Sequence, residues 1–397
     1  MEYHYIKMKV NQWLNLLLTV LLVLCATTIV VLLASGYRFD PKTASIQGTG
    51  IIAVNSNPDG ALVYVNDVAQ NASNTTITNL KPGEYKVRLE KEGYSQWNKT
   101  LIVKKELVTK VDALLIPLYP SLQPLTFTGA DQPTLSPDGS KIIYHVFEGT
   151  SAGLWLLDLN ERPFNLSQKP LQLLADTQAN VYSKSEITWA PTNDSIMLTL
   201  NDTVTGTTNY ELFDIRTSNM QTIIDIATLR ATWENIVNER NSQRLDTINP
   251  DQIDTIKTFN NPSWSPDGKT ILYSVENENQ REYYVYPVNY NQGTDTKSPT
   301  PTGSFDNTKP ILTLAKDQNV SVQWYPDSQH LIITTDTTNG TATIELIETD
   351  QANRTQIFAG AIKDLAVIPN LNGSKLVILT QFNLGNNNYN LYSINLR

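Results

Sequence analysis

Leu135-Ser136-Pro137-Asp138-Gly139-Ser140-Lys141-Ile142-Ile143-Tyr144 returns later in the chain as Trp264-Ser265-Pro266-Asp267-Gly268-Lys269-Thr270-Ile271-Leu272-Tyr273. Weaker copies stand at Trp189-Ala190-Pro191, at Trp324-Tyr325-Pro326-Asp327, and at Ile368-Pro369 with Asn372-Gly373-Ser374-Lys375. Each copy joins an apolar strand end to a Pro-Asp-Gly type of turn and then to an alternating strand. Proline presets the first turn position and glycine supplies positive φ. Self-similarity of this kind marks a repeat architecture, in which one supersecondary unit is used many times over.

Working outward from each phrase, the same four-strand order is predicted. One strand enters at the Trp or Leu, a second follows the turn, and a loop rich in Asn, Gly or Thr leads to a third. The third strands are Leu154 to Asp158, Tyr210 to Asp214, Tyr283 to Tyr286, Thr343 to Ile347 and Tyr389 to Ile394. Fourth strands follow four of them, at Leu171 to Leu174, Met220 to Ile224, Ile311 to Leu314 and Thr355 to Phe358. The fifth copy reaches Arg397 without one, while a spare strand, Leu122 to Phe127, precedes the first copy. A spare strand at one end and a missing strand at the other are what ring closure needs. The expectation is therefore an all-β chain whose residues 118–397 form a β-propeller of five blades, the last completed by the first strand. Radial repetition leaves only short, protected sheet edges.

The phrase followed by its alternating strand resembles the repeat of TolB-type, WD40-like propellers. It matches well in two copies. Thr192-Asn193-Asp194 replaces Asp-Gly in the second copy, and Ser328-Gln329 follows Asp327 in the fourth. Propellers of this kind sometimes precede a hydrolase domain, but the sequence runs out at the last predicted blade, so none is expected.

Leu14 to Ala34 carries no charge and is interrupted only by Asn15, Thr19, Thr27 and Thr28. Such a run spans the roughly 30 Å hydrocarbon core at about 1.5 Å per residue. Ala34-Ser35-Gly36 would suit a signal-peptide cleavage site, yet the run exceeds the ~7–15 apolar residues of such signals. Residues 14–34 are thus expected to be an uncleaved transmembrane anchor and 1–13 a cytoplasmic N-terminus. Lys7 and Lys9 precede the span, while Arg38 and Lys42, partly offset by Asp40, follow it. That bias is slight, but long following domains translocate largely regardless of charge. The bulk of the chain is placed outside, with Trp13 and Tyr37 as interfacial aromatics. The only cysteine, Cys25, is mid-span, so no disulfide within one chain is possible.

After a linker at 35–49, residues 50–117 read as a small β unit. Ile51 to Val54, Ala61 to Val65, Tyr85 to Leu89 and Thr100 to Val103 are predicted strands, punctuated by Asn57-Pro58-Asp59-Gly60, Lys81-Pro82-Gly83 and Lys91-Glu92-Gly93. Ser56-Asn57-Pro58-Asp59-Gly60-Ala61, Val63-Tyr64-Val65-Asn66, Leu80-Lys81-Pro82-Gly83-Glu84-Tyr85-Lys86-Val87 and Lys91-Glu92-Gly93-Tyr94 together resemble a PEGA domain. Asp67 stands where that pattern usually has Gly, and Thr75-Thr76 replaces Thr-Pro, both at turns. The resemblance implies a small β-sandwich common in surface proteins, and it implies no reaction.

Two inserts interrupt the propeller. In the first, 227–259, Leu229, Trp233, Ile236 and Val237 are spaced to share one helix face, and Asn249-Pro250-Asp251 is a helix start signal. It joins an outermost strand to the next innermost one, a connection that shares a face with the loops between second and third strands. Those loops include Thr205-Gly206-Thr207, Asn277-Glu278-Asn279, Asn339-Gly340 and Asn386-Asn387-Asn388. Loops and inserts on a rigid scaffold commonly carry binding, so these four side chains are the candidate partner-binding residues. The plainer reading is that they pack the helix onto the ring and leave its other face free. The second insert, 289–309, reads as a loop rich in Thr, Ser, Pro and Asn.

The net charge is −9, with no basic block beyond the first ten residues, which excludes a nucleic-acid footprint. No Gly-x-Ser-x-Gly elbow, phosphate loop, His-Glu-x-x-His or dinucleotide fingerprint is present. Asp138, Asp267 and Asp327 fall one per blade, whereas calcium needs about 6–8 oxygens converging on one point. His145 and His330 lie in different blades. No catalytic, cofactor-binding or metal-ligating residue is therefore assigned. The expected function is that of a membrane-anchored extracytoplasmic protein, not an enzyme, presenting its propeller to a protein or a cell-wall glycan. A structural surface-layer component is the alternative. A polysaccharide hydrolase or lyase would need paired carboxylates in the channel.

Overall fold

The computed structural model describes residues 2–34, 36–40, 45–160, 169–201, 206–290, 309–337, 340–382 and 388–397. Most of the second insert (291–308) and Thr205, Asn339, Asn386 and Asn387 of the named loops lie outside the described residues. The chain divides into two compact units, Met1–Leu115 and Ile116–Arg397.

The first unit opens on α1 (Glu2–Ala34). With no Pro or Gly between Glu2 and Ala34, nothing stops the helix at the edge of the apolar run, so residues 2–13 continue it rather than standing apart. Trp13–Ala34 has mean hydropathy 3.0 and is long and apolar enough to cross a membrane. The hydroxyls of Thr19, Thr27 and Thr28 donate to carbonyls four residues back, at 2.8, 2.7 and 2.8 Å, which leaves no hydroxyl donor unmet on that helix surface.

Residues 35–49 are not the plain linker expected. They hold a hairpin, β1 (Tyr37–Asp40) and β2 (Ser45–Gly48), with Phe39 opposite Ile46. Four-residue strands give too few alternations to be read from periodicity. The sandwich follows as β3 (Gly50–Asn57), β4 (Leu62–Val65), β5 (Val68–Ala72), β6 (Thr75–Leu80), β7 (Gly83–Glu90), β8 (Trp97–Val103) and β9 (Val108–Leu114). One sheet runs β6-β3-β9, with β3 and β9 parallel, and the other runs β5-β4-β7-β8. Ile52, Val54, Val63, Val87, Leu89, Trp97, Leu101 and Val111 fill the core between them. The turn Asn66-Asp67 has both φ values positive, at 48° and 64°, a conformation that Asn and Asp tolerate. Asp67 thus keeps the turn for which glycine is usual.

The second unit holds five four-stranded antiparallel sheets. After β10 (Leu122–Pro124), the first is β11 (Asp131–Leu135), β12 (Lys141–Val146), β13 (Gly153–Asp158) and β14 (Leu171–Ala175). The second is β15 (Glu186–Trp189), β16 (Ser195–Asn201), β17 (Thr208–Asp214) and β18 (Asn219–Thr222). Helices α2 (Ile226–Asp246) and α3 (Pro250–Lys257) intervene. The third sheet is β19 (Asn260–Trp264), β20 (Thr270–Glu276), β21 (Gln280–Pro287) and β22 (Leu312–Ala315). The fourth is β23 (Val320–Trp324), β24 (His330–Asp336), β25 (Ala342–Glu348) and β26 (Thr355–Gly360). The last joins β27 (Val367–Pro369), β28 (Lys375–Thr380) and β29 (Asn390–Asn395) to β10, in the order β10-β29-β28-β27.

Neighbouring sheets pack face to face at three seams. Alternate residues of β12 face opposite ways: Ile142 and Tyr144 pack with Val377, Leu379 and Leu391 of the last sheet, while Ile143 packs with Trp189, Ile196 and Leu198 of the second. Leu272 and Val285 pack likewise with Trp324, Leu331 and Ile333. The tryptophans that open two turn phrases reach across these seams. Trp189 donates its indole N–H to the Thr134 carbonyl at 3.3 Å and Trp324 to that of Ser263 at 2.9 Å.

The turn phrase has one hydrogen-bond pattern. Ser136 Oγ donates to Asp138 Oδ1 at 2.6 Å and accepts from Lys141 N at 2.9 Å, while Ser140 N donates to the same carboxylate at 3.0 Å. Ser265 and Asp267 repeat this at 2.7 Å, with Lys269 N and Thr270 N as the backbone donors at 3.0 Å each. The degraded copies use substitutes. Asn370 and Asn372 take the Ser and Asp roles in the last sheet: Asn370 Oδ1 accepts from Lys375 N at 2.9 Å and Asn372 Oδ1 from Ser374 N at 2.8 Å. Asn193 and Ser328 occupy the glycine position with φ of 64° and 63°.

Candidate interaction surface

α2 starts on a side-chain cap. Asp225 accepts from Thr228 N at 3.0 Å and from Thr228 Oγ1 at 2.6 Å, which satisfies an otherwise unpaired N–H of the first turn. Over 21 residues the helix is about 32 Å long. Three arginines brace it against the sheets on either side. The Arg230 guanidinium lies 5.8 Å from the ring centre of Tyr210 in β17. Arg240 Nη2 donates to the Pro191 carbonyl at 3.3 Å, and Arg244 lies 5.0 Å from the ring centre of Trp264 in β19.

These contacts correct the expected position of the insert. It leaves β18 on the face of the loops between second and third strands, but it does not stay there. Pro191 belongs to a turn phrase, and Trp264 ends the strand leading into one, so α2 crosses the height of the unit to the opposite face. The return is fixed by packing. Ile248 bridges to Tyr290, whose hydroxyl donates to the Gly268 carbonyl. Gln252, almost fully buried in α3, donates to the Pro287 carbonyl at 3.1 Å and accepts from Asn289 N at 2.7 Å. Ile248 and Ile256 join Ile271 and Val288 in one cluster. Phe259 stacks on Tyr273 with ring centres 4.0 Å apart, just before β19 begins.

α3 is therefore seated on the core through Gln252 and Ile256, while α2 is surface. No residue of α2 is fully buried. Leu229, Trp233 and Ile236 are half-buried, while Val237 is 41% exposed. The predicted four-residue face is a three-residue stripe. Val237 lies beyond it, on an exposed stripe with Glu234 and Asn241. The bracing arginines were not read from sequence, because arginine spacing on a mostly polar helix does not distinguish a brace from a solvated charge.

Burial alone would push the Asp138 carboxyl up, but hydrogen bonds from Ser136 and Ser140 with the Lys141 charge outweigh it and hold it below its ordinary value. His145 is buried, with Nε2 2.8 Å from the Ser185 carbonyl, and burial pushes its pKa down. His330 lies 2.6 Å from Asp327 and 3.8 Å from Glu348, at the end of the fourth sheet's turn. Asp131, at the start of β11, pairs with Lys363. Among the described residues no group of three or more His, Cys, Asp or Glu side chains is placed to hold a metal ion.

Residues 49–117 match the family model of the PEGA domain. No curated protein matches the sequence. Among solved structures, the chain is similar to TolB from Acinetobacter baumannii, at 13% identity and TM-score 0.23, covering 78% of this chain and 59% of that one. It is similar to a putative TolB from Agrobacterium tumefaciens at 10% identity and TM-score 0.21, covering 79% and 89%. An oligogalacturonate lyase in complex with manganese aligns at 13% identity and TM-score 0.24, covering 70% and 83%. Identities and scores this low say nothing of activity. The sandwich of β3–β9 thus matches a PEGA domain, while the second unit is defined by its own five four-stranded antiparallel sheets, the last of which takes its fourth strand from β10.

Proposed function

We propose that this chain is a membrane-anchored binding protein, with Trp13–Ala34 of α1 as the span, the residues before Trp13 in the cytoplasm and both β-rich parts outside. The propeller presents α2 to a protein partner. The observation that carries this reading is α2 itself: a capped, braced 21-residue helix with no fully buried residue. A helix of this length contributes little to the core, yet three arginines hold it in one place. Leu229, Trp233 and Ile236 seat it, and Glu234, Val237 and Asn241 face outward. Protein is favoured over cell-wall glycan because the outward stripe has an aliphatic centre with flanking polar groups and no aromatic platform.

The test is photo-crosslinking in the native envelope from positions 237 and 241 of the full chain, with position 92 in the β7–β8 turn as control. A discrete adduct from 237 and 241, absent from 92 and abolished by Glu234→Lys in the position-237 chain, supports the reading. Adducts of equal yield at all three positions, or none, overturn it. Protease protection of spheroplasts checks the orientation: digestion of the bulk of the chain from outside is expected, and full protection refutes it.

A further inference from the structure

We propose that the β1–β2 hairpin is a second membrane contact, in which the Phe39–Ile46 pair seats in the interfacial layer of the bilayer beside the point where α1 leaves it. This rests on reading α1 as a span.

There is no slack between helix and hairpin. Gly36 N donates to the Leu33 carbonyl at 3.2 Å, Arg38 Nη1 to the same carbonyl at 2.9 Å, and Thr49 N to the Gly36 carbonyl at 3.0 Å. The 22-residue stretch Trp13–Ala34 makes about 33 Å of helix, which fills the roughly 30 Å hydrocarbon core and leaves Ala34 at its outer edge. Phe39 follows five residues later, at most about 16–18 Å of extended chain, and the turn at Gly36 (φ 83°) shortens that reach.

One face of the hairpin is half covered. Alternation places Tyr37 and Phe39 on the same side, opposite Gly48 and Ile46. Over the inner pair lies the β8–β9 turn. A Cβ on Gly48 would meet Lys105 Cγ at 2.6 Å. The Lys105 ammonium sits 4.9 Å from the Tyr37 ring centre, and the Tyr37 hydroxyl donates to Glu106. Over the outer pair the described residues give no such cover: Phe39 is 64% and Ile46 59% exposed, and Leu107 of the same turn is 55% exposed. An aromatic and an aliphatic side chain directly opposed on a two-stranded ribbon are a favourable pair to bury. A bilayer surface within reach of the span is what can bury them, and headgroup-level aromatics are a recurring anchor.

The full chain in phospholipid vesicles tests this, using its single cysteine. An environment-sensitive fluorophore is placed on native Cys25, or, in the Cys25→Ser background, on Ile46→Cys or Glu92→Cys. Glu92 is exposed in the β7–β8 turn, at the opposite end of β8 from Lys104. The label at 25 should be quenched by deep acyl-chain quenchers. The label at 46 should lose most of its emission with shallow quenchers, and the label at 92 should lose none. Adding Phe39→Asp should return position 46 to the level of position 92. If 25 is quenched deeply while 46 behaves as 92, the hairpin contact is refuted and the anchor stands. If 25 is not quenched, the anchor fails and the hairpin contact with it.

Discussion

Thr126→Val is the sharpest probe of how the ring closes. Thr126 is 2% exposed, and its hydroxyl is shared between the two ends of the propeller. It donates to Asn390 Oδ1 at 3.0 Å and accepts from Leu391 N at 2.9 Å. Valine keeps the shape and removes both bonds. Asn390 Oδ1 still accepts from Gly129 N at 3.1 Å, so the carboxamide oxygen is not stranded. The Leu391 amide is stranded, because its side chain is fully buried and the amide has lost its acceptor. Losing the bond to Asn390 costs about 1 kcal/mol and orphaning the buried Leu391 amide about 1–3 kcal/mol, giving roughly 2–4 kcal/mol in all. For a unit of this size that is about 3–7 °C in the unfolding midpoint. Hydrogen exchange of the full chain in detergent should show residues 388–396 losing protection selectively, with a lowered melting midpoint for the second unit. Thr126→Ser keeps the hydroxyl and should cost about 1 kcal/mol for its missing methyl. If the valine variant melts with wild type, or serine is the more damaging change, the hydroxyl clasp is not what closes the ring.

Two further outcomes follow from the buried polar groups. The pKa of His145 lies below its ordinary value in the fold, chiefly through burial, so the unfolded chain takes up the proton first. Stability is full above about pH 6.5 and falls by up to about 1.4 kcal/mol per pH unit below it. His145→Gln should flatten that stretch of a pH series of urea midpoints, and an unchanged slope would contradict it. Asp138→Ala should cost about 1–3 kcal/mol through its lost turn bonds, whereas calcium or a chelator should leave the wild-type midpoint where it is. Because the folded Asp138 carboxyl lies below its ordinary value, its contribution is present above about pH 3.9 and is lost as the pH drops further. A calcium-dependent midpoint that Asp138→Ala abolishes would make the turn a metal site.

The sheets were legible because burial on both faces leaves a plain signature. β12 and β24 read as nearly unbroken apolar runs, Ile142 to Val146 and Leu331 to Ile333, each after a turn phrase. The partner of β10 was legible from the strand missing at the other end. Less visible were strands with little to bury, such as β5 (Val-Ala-Gln-Asn-Ala) and β6 (Thr-Thr-Ile-Thr-Asn-Leu), which lie at sheet edges. The hairpin β1–β2 escaped for want of length. At the interaction surface, periodicity gave Leu229, Trp233 and Ile236 their common stripe. It could not show that Val237 lies outside it, because one residue's step is about 100° and the stripe's width depends on what it packs against. The path of α2 across the ring depends on Arg240 and Arg244 finding Pro191 and Trp264, contacts between residues far apart in sequence.

The composite sheet also sets a waiting time during synthesis. Thr126 meets a partner 264 residues further on, and at about 5–20 residues per second that partner emerges roughly 13–53 s later. Throughout that interval β10 is an unclaimed strand next to a growing chain full of candidate edges. Its sequence is suited to the delay. Pro117, Pro120 and Pro124 punctuate Ile116 to Leu125, and a proline cannot donate to a foreign strand. In the finished sheet β10 is the edge strand, paired only with β29, so the missing N–H of Pro124 is tolerated there. The prolines that make this segment a poor partner for every other strand leave β29 free to be the one that captures it.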